Sequence, residues 1–243
     1  MNSTIDQIAQ HRSIRQFTSQ PVAPELISQA VKAAQQAATS SNVQAYSMLQ
    51  ISDPKVRHKL AELCGNQEKV AECGAFFVMC ADSRRHRLLA KRANKKYQSH
   101  LEGFLVGVID ACLFAQNLAI AFESMDLGIC YIGGLRNDLI QAQKLLNFPI
   151  GVYPLFGFCV GYPDEDPFKR PRLPLQAVLF KDQYPSDQEM LDLIDEYDQE
   201  MSTYYIQRGA SGRTWSPQIA GFHEELRRGD LADFYKEQGA NLT

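Results

Sequence analysis

The segment from Phe104 to Phe122 constrains the fold more than any other part of this sequence. It is a long apolar stretch broken only by Asp110, Gln116 and Asn117. Extended to Leu101–Leu127, its polar members Asp110, Gln116, Asn117, Glu123 and Ser124 fall at spacings of six and seven. A helix drawn through them keeps most of its circumference apolar. Such a helix belongs in the middle of a fold or at a large subunit interface. It does not read as a bilayer span, which needs about 20 residues with hardly any polar interruption.

The rest of the chain supplies material for that fold. Its 243 residues are 45% hydrophobic and 22% charged, the composition of a soluble globular chain of one α/β or α+β domain. A balance of 25 basic against 28 acidic residues leaves a net charge of −3, so nucleic acid is not an expected partner. Six cysteines contain no C-x-x-C pair, and Cys80, Cys112, Cys130 and Cys159 sit inside apolar runs. They read as free buried thiols in a reducing compartment. Met1–Gln10 has neither the basic nor the apolar region of a secretory signal. The expected location is cytoplasmic, with no membrane partner.

Local patterns place the elements. Thr4-Ile-Asp-Gln7 spells a capping box ahead of a short helix, and Pro24-Glu25 opens a second one. Met48–Ile51 reads as a strand, and Val56–Leu63 as a helix behind Pro54. Ala75–Ala81, apolar without alternation, is a strand covered on both faces. Ile129–Ile132 is a short strand ended by Gly133-Gly134; Ala142–Leu146 lies in a helix and Tyr153–Val160 in a strand. Beyond Pro185 the pattern turns helical and charged, an extension suited to wrapping a partner subunit, and it contains the loop Arg208-Gly-Ala-Ser-Gly-Arg213.

No standard phosphate loop, nucleophile elbow or metal-binding histidine pair is spelled, and the five histidines are scattered. What remains is a set of modest signals. His11-Arg-Ser-Ile-Arg15 puts two guanidiniums and a hydroxyl within five residues, and guanidinium forks match phosphate oxygens. Lys169-Arg-Pro-Arg172 fixes two more arginines in an extended segment stiffened by proline. Gly133-Gly134, directly after a strand, lets a ligand approach the backbone. Thr39-Ser-Ser-Asn42 forms a polar cluster, and Arg84-Arg-His-Arg87 begins the strongest basic run. That run reads as a solvated helix, with a place near a binding-site entrance or a nucleic-acid patch as alternatives. Tyr197, Tyr204 and Tyr205 read as interface packing.

Together these segments resemble the nitroreductase family of flavoproteins, in particular its NADPH-dependent nitroreductase A and flavin reductase branch. The matching pieces are H-R-S-I-R-Q-F at 11–17, T-S-S-N-V-Q at 39–44, G-N-Q at 65–67, Y-I-G-G-L-R-N at 131–137 and P-L-F-G-F-C-V-G-Y-P at 154–163. R-P-R-L-P at 170–174 and Y-Y-I-Q-R-G at 204–209 complete them. The resemblance implies an α+β fold with a central mixed sheet flanked by helices. It also implies a core over residues 1–184 with a C-terminal helical extension over 185–243, in one integrated domain.

It further implies a homodimer holding FMN in two interface pockets, with NADPH as reductant. Arg12, Ser13 and Arg172 would hold the FMN phosphate and ribityl chain, beside His11, Ile14, Arg15 and Pro171. Arg170 would face the pyrimidine end, and Gln67 and Thr39 would contact the flavin, Thr39 from the other subunit. Tyr131, Ile132, Gly133 and Gly134 would line the side on which a backbone N–H meets flavin N5. Arg15, Ser40, Ser41, Arg208 and Arg213 would reach the NADPH phosphates. Family members commonly have lysine at the position of Arg170 and serine at that of Thr39; both replacements keep the donor. The expected activity is two-electron, ping-pong reduction of nitroaromatics, quinones or free flavin by NADPH, with no metal and no catalytic side chain beyond the flavin. A dedicated flavin reductase and a non-enzymatic FMN-binding dimer are the alternatives.

Overall fold

The computed structural model describes residues 3–243; Met1 and Asn2, where the signal reading begins, lie outside them. Helix α1 (Ser3–Ala9) contains Thr4 within its first turn, so Thr4 does not stand ahead of the helix as its cap. Helix α2 (Pro24–Ala34) starts on Pro24, with Glu25 in its first turn, and buries Ala30 and Ala34 one turn apart. A short 3-10 turn, Ser40–Asn42, leads into strand β1 (Tyr46–Ile51). Helix α3 (Pro54–Leu63) is capped by Asp53, whose carboxylate accepts from the Lys55 N–H at 2.8 Å. The single turn α4 (Lys69–Glu72) precedes strand β2 (Ala75–Asp82), and all eight residues of β2 are buried, as its unbroken apolar run requires.

Helix α5 (Arg84–Arg92) carries the basic run. Helix α6 (Leu101–Glu123) follows, capped by His100, whose Nδ1 accepts from Gly103 N–H at 2.9 Å. Strand β3 (Gly128–Ile132) ends in the 3-10 turn Gly133–Asn137. Helix α7 (Leu139–Leu146) is closed by Asn147 in the left-handed region, its N–H bonded to Gln143 O at 2.7 Å. Strand β4 (Val152–Gly161) completes the sheet.

The strand order is β1-β2-β4-β3, and every adjacent pair runs antiparallel. The expected mixed sheet is therefore an antiparallel one among the described residues. Helices rather than hairpins join its strands, which explains why antiparallel neighbours lie far apart in sequence. Helix α6 packs across β1, β2 and β3. Phe114 stacks on Tyr46 with ring centroids 4.5 Å apart, and Phe122 sits 6.5 Å from both Phe77 and Phe158. By length and composition α6 could cross a membrane. Its Phe114, Leu118 and Phe122 are instead buried in this core. Five of the six free cysteines are buried; Cys112, expected inside, is exposed because it faces away from the sheet on α6.

By backbone contacts the chain forms two compact units. The first comprises the chain up to Pro167 together with Arg228–Thr243, and the second comprises Phe168–Arg227. In the second, α8 (Asp187–Gln207) begins with a capping box between Ser186 and Glu189 and packs on the 3-10 turn Leu175–Ala177. Tyr197, Met201 and Tyr204 on α8 form a small core with Leu173, Tyr205 and Trp215, so these tyrosines pack their own unit. Helix α9 (Ser216–Phe222) follows. The closing helix α10 (Leu231–Glu237) belongs to the first unit. Tyr235 donates to Pro154 O at 2.8 Å, and Gly151 N–H to Gln238 O at 2.9 Å, tying the tail to the start of β4. Residues 168–184 thus group with α8, and residues 228–243 with the sheet.

Candidate functional site

In the first unit the segment His11–Gln16 is laid along the end of the sheet. Ile14 is buried and its N–H bonds Ile129 O on β3 at 2.9 Å. Any side chain on Gly128 would run into Ile14, at 2.6 Å from its Cγ1, so glycine there lets the segment seat. His11 Nδ1 lies 2.6 Å from Glu123 Oε1 at the end of α6. Glu165 accepts from the backbone N–H groups of Arg15 and Gln16. Arg12 pairs with Asp166 at 2.9 Å, but Asp166 is 82% exposed. An open pair of this kind is worth little.

Arg15 and Gln67 line one cleft of about 450 Å³ with Asn66 and Lys69. Gln67 Nε2 donates to Cys64 O at 2.7 Å, and a Cβ on Gly134 would lie 2.6 Å from the same Nε2. Gly134 therefore sits where no side chain fits, next to Gln67. Burial pushes the Cys64 thiol up to about 12, so it is not an ionised nucleophile. Tyr131 packs edge-on against Phe158, at 4.9 Å, and its hydroxyl reaches Gln116 Oε1 at 3.5 Å. Burial pushes that phenol well above its ordinary value, so it stays protonated. Ile132 is buried and starts the Gly133–Asn137 turn, which Arg136 fastens by donating to Leu155 O at 2.5 Å.

Thr39, Ser40 and Ser41 are held at a different level of α6. Asp110, a fully buried carboxylate, accepts from Ser40 N–H at 3.2 Å and from Ala45 N–H at 3.0 Å. Asp110 and Glu123 are 13 residues apart on one helix, about 20 Å at 1.5 Å per residue. One chain therefore does not bring the Thr39–Ser41 loop to the His11–Arg15 segment.

In the second unit Arg170 and Arg172 are exposed on either side of Pro171, whose carbonyl accepts from Tyr197 OH at 2.9 Å. Arg208, at the end of α8, donates to Tyr204 OH at 3.0 Å. Burial alone would raise the Tyr204 phenol, but hydrogen bonds from Arg170 and Arg208 outweigh it and bring it below its ordinary value. Arg170 and Arg208, expected to serve flavin and nicotinamide respectively, both lower the Tyr204 phenol. Gly209 and Gly212 adopt φ of 70° and 79° in open space, a conformation that favours glycine, and Arg213 is exposed beside them.

Sequence reasoning missed Asp110, Glu123, Glu165 and the role of Tyr204. Asp110, an acid inside an apolar helix, carried the signal of a buried charge in need of partners. Asp164-Glu-Asp166, directly after a strand, was the second such signal.

Comparison with known proteins identifies the family to which the chain belongs. The model of the nitroreductase family matches residues 8–162, and that of the nitroreductase family, C-terminal domain, matches residues 170–243. An FMN reductase (NADPH) of Bacillus subtilis is 46% identical, over 99% of both chains. An oxygen-insensitive NADPH nitroreductase of Salmonella typhimurium is 37% identical, over 98% of both. The solved structure of NfrA1 nitroreductase from B. subtilis superposes with a TM-score of 0.95 at 45% identity, covering 99% of this chain and all of that one. With both sequence models and full-length relatives in agreement, this chain belongs to the nitroreductase family.

Proposed function

We propose that the protein is an FMN-dependent NADPH oxidoreductase that reduces free flavin, quinones or nitroaromatic compounds by two electrons. The observation that carries this reading is the donor set. Within the first unit Arg12, Ser13, Arg15 and Gln67 suit a phosphate-bearing, carbonyl-rich heterocycle; Arg170 and Arg172 are assigned to the same group by the family resemblance alone. The packing of Gly134 against Cys64 O and Gln67 Nε2 holds the Gln67 amide in place beside that turn. The B. subtilis FMN reductase (NADPH) and the S. typhimurium NADPH nitroreductase, to which the chain is similar, point the same way.

FMN, when bound, supplies the chemistry: it takes up a hydride and passes on two electrons. The chain binds and orients it. Arg12 and Arg172, with Ser13, hold the phosphate and ribityl chain, with His11, fixed by Glu123, beside them. Gln67 and Arg170 orient the ring, and Arg170 places positive charge at its pyrimidine end. Tyr131, Ile132, Gly133 and Gly134 form a backbone wall. Arg15, Ser40, Ser41, Arg208 and Arg213 receive the NADPH phosphates.

The protein acts as a homodimer in the cytoplasm. The separation of about 20 Å between the two halves of the site on α6 supports a reading in which Thr39 serves the pocket of a second copy. Leu101, Leu105, Ile109 and Leu113 form an exposed apolar stripe on α6 that such a copy would cover. Purified protein should be yellow or take up FMN, and NADPH should bleach its flavin absorbance without oxygen. Protein that binds no FMN would overturn the reading, and bound flavin that NADPH does not bleach would leave only a flavin binder.

A further inference from the structure

The loop from Thr39 to Ala45 has an unusual backbone. Ser41, Asn42 and Gln44 have φ of 46°, 58° and 50°, in the left-handed region, and none is glycine. Side chains disfavour that region, so the surroundings must impose it. The basic helix α5 supplies the restraint. His86 Nε2 lies 2.7 Å from Val43 O, and Arg85 Nη2 donates to Gln44 O at 3.3 Å and to Tyr46 O. From the other side Asp110 takes the N–H groups of Ser40 and Ala45. Ala45 O in turn accepts from Asp82 N–H at 2.9 Å. Asp82 Oδ1 accepts from Arg84 N–H at 2.8 Å, which fixes the start of α5.

The basic run is therefore not merely a solvated face. Two of its side chains are spent on carbonyls of a loop whose preceding residues, Ser40 and Ser41, are assigned above to the NADPH phosphates. We infer that Arg85 and His86 are positioning residues for NADPH, holding the 39–45 loop in its left-handed conformation so that Ser40 and Ser41 present their donors. The inference rests on the proposed function and extends it to two residues outside the set assigned above to flavin and nicotinamide. Because one nitrogen of Arg85 serves both carbonyls, a lysine ammonium can replace it.

The test uses the full-length, FMN-loaded protein and its variants Arg85→Ala, His86→Ala and Arg85→Lys. Amide hydrogen exchange of residues 40–46 should speed up in the two alanine variants. Their KM for NADPH should rise about three- to tenfold with kcat nearly unchanged, more in Arg85→Ala, which loses two hydrogen bonds, than in His86→Ala, which loses one. Arg85→Lys should recover most of both effects. Unchanged exchange, or faster exchange with an unaltered NADPH KM, would overturn the inference while leaving the enzyme assignment intact. Wild-type protein that fails to oxidise NADPH would overturn the assignment itself and this inference with it.

Discussion

Arg208 and Tyr204 lie one helical turn apart at the end of α8, the guanidinium donating to the phenol oxygen at 3.0 Å and standing 5.5 Å from the ring centre. The pair fixes the root of a loop that Gly209 and Gly212 otherwise leave free. Arg208→Ala is expected to raise the KM for NADPH about ten- to a hundred-fold, the worth of one charge-assisted contact. The NADH reaction and bound FMN should be nearly unaffected. Tyr204→Phe, which keeps Arg208 but removes its anchor, should raise the NADPH KM by about two- to fivefold. Steady-state kinetics with both nicotinamides decides it, and equal losses for NADH and NADPH would show that Arg208 does not read the 2′-phosphate.

Gly134 has no space for a methyl group, because Cys64 O and Gln67 Nε2 occupy it. Gly134→Ala should lower stability by about 1–3 kcal/mol, since backbone has to move. For a chain of this size that is a drop in Tm of about 2–12 °C, with weaker FMN binding. Gly133→Ala meets only the end of the Arg136 side chain, at 3.4 Å, and should be milder. Thermal melts and flavin titration of the two variants compare them directly.

The exposed stripe on α6 offers a test of assembly. Ile109 is 54% exposed and Leu113 lies one turn further on. Charging both, as Ile109→Lys with Leu113→Glu, should shift sedimentation toward monomer and release FMN together. A folded monomer that retains FMN at nanomolar concentration would break the link between dimerisation and the pocket.

Asp198 on α8 holds the start of α9, accepting from Trp215 N–H at 2.7 Å, Ser216 N–H at 2.9 Å and the Ser216 hydroxyl. Partial burial pushes its carboxyl up, but these hydrogen bonds outweigh burial and hold it below the ordinary aspartate value. A depressed folded-state value means that the ionised form stabilises this contact. That contribution is complete above about pH 4 and disappears as pH falls through the lower, folded-state value. The amide protection of residues 215–219, relative to intrinsic exchange, should fall over that acidic range in the wild type. In Asp198→Ala it should already be lower at neutral pH, by about fivefold, with little further change on acidification.

A site that binds nicotinamide and oxidant in turn has a kinetic signature. Double-reciprocal plots at several acceptor concentrations should give parallel lines. Intersecting lines with more than one acceptor would mean that both substrates are bound together.

Much of this protein was legible in one dimension. The unbroken apolar run Ala75–Ala81 became a fully buried strand, Pro24 and Pro54 opened helices, and the long apolar stretch from Phe104 to Phe122 became the helix packed across the sheet. The donors expected to hold the cofactors also lie in recognisable segments. These features are local: periodicity, capping and backbone restriction act within a few residues, so spacing alone encodes them.

Only the tertiary structure decided the rest. The antiparallel order β1-β2-β4-β3, the grouping of residues 228–243 with the sheet, and the partners of the polar groups depend on contacts between distant segments. His11 meets Glu123, Arg15 meets Glu165, and Ser40 meets Asp110, across separations of 112, 150 and 70 residues. No sequence period reports such pairings. A buried carboxylate must find donors when the chain collapses, but which donors it finds is settled by how the layers pack around it. That is how an acid read as an interruption in α6 became the anchor of the 39–45 loop, and how a basic run read as a solvated helix became its clamp.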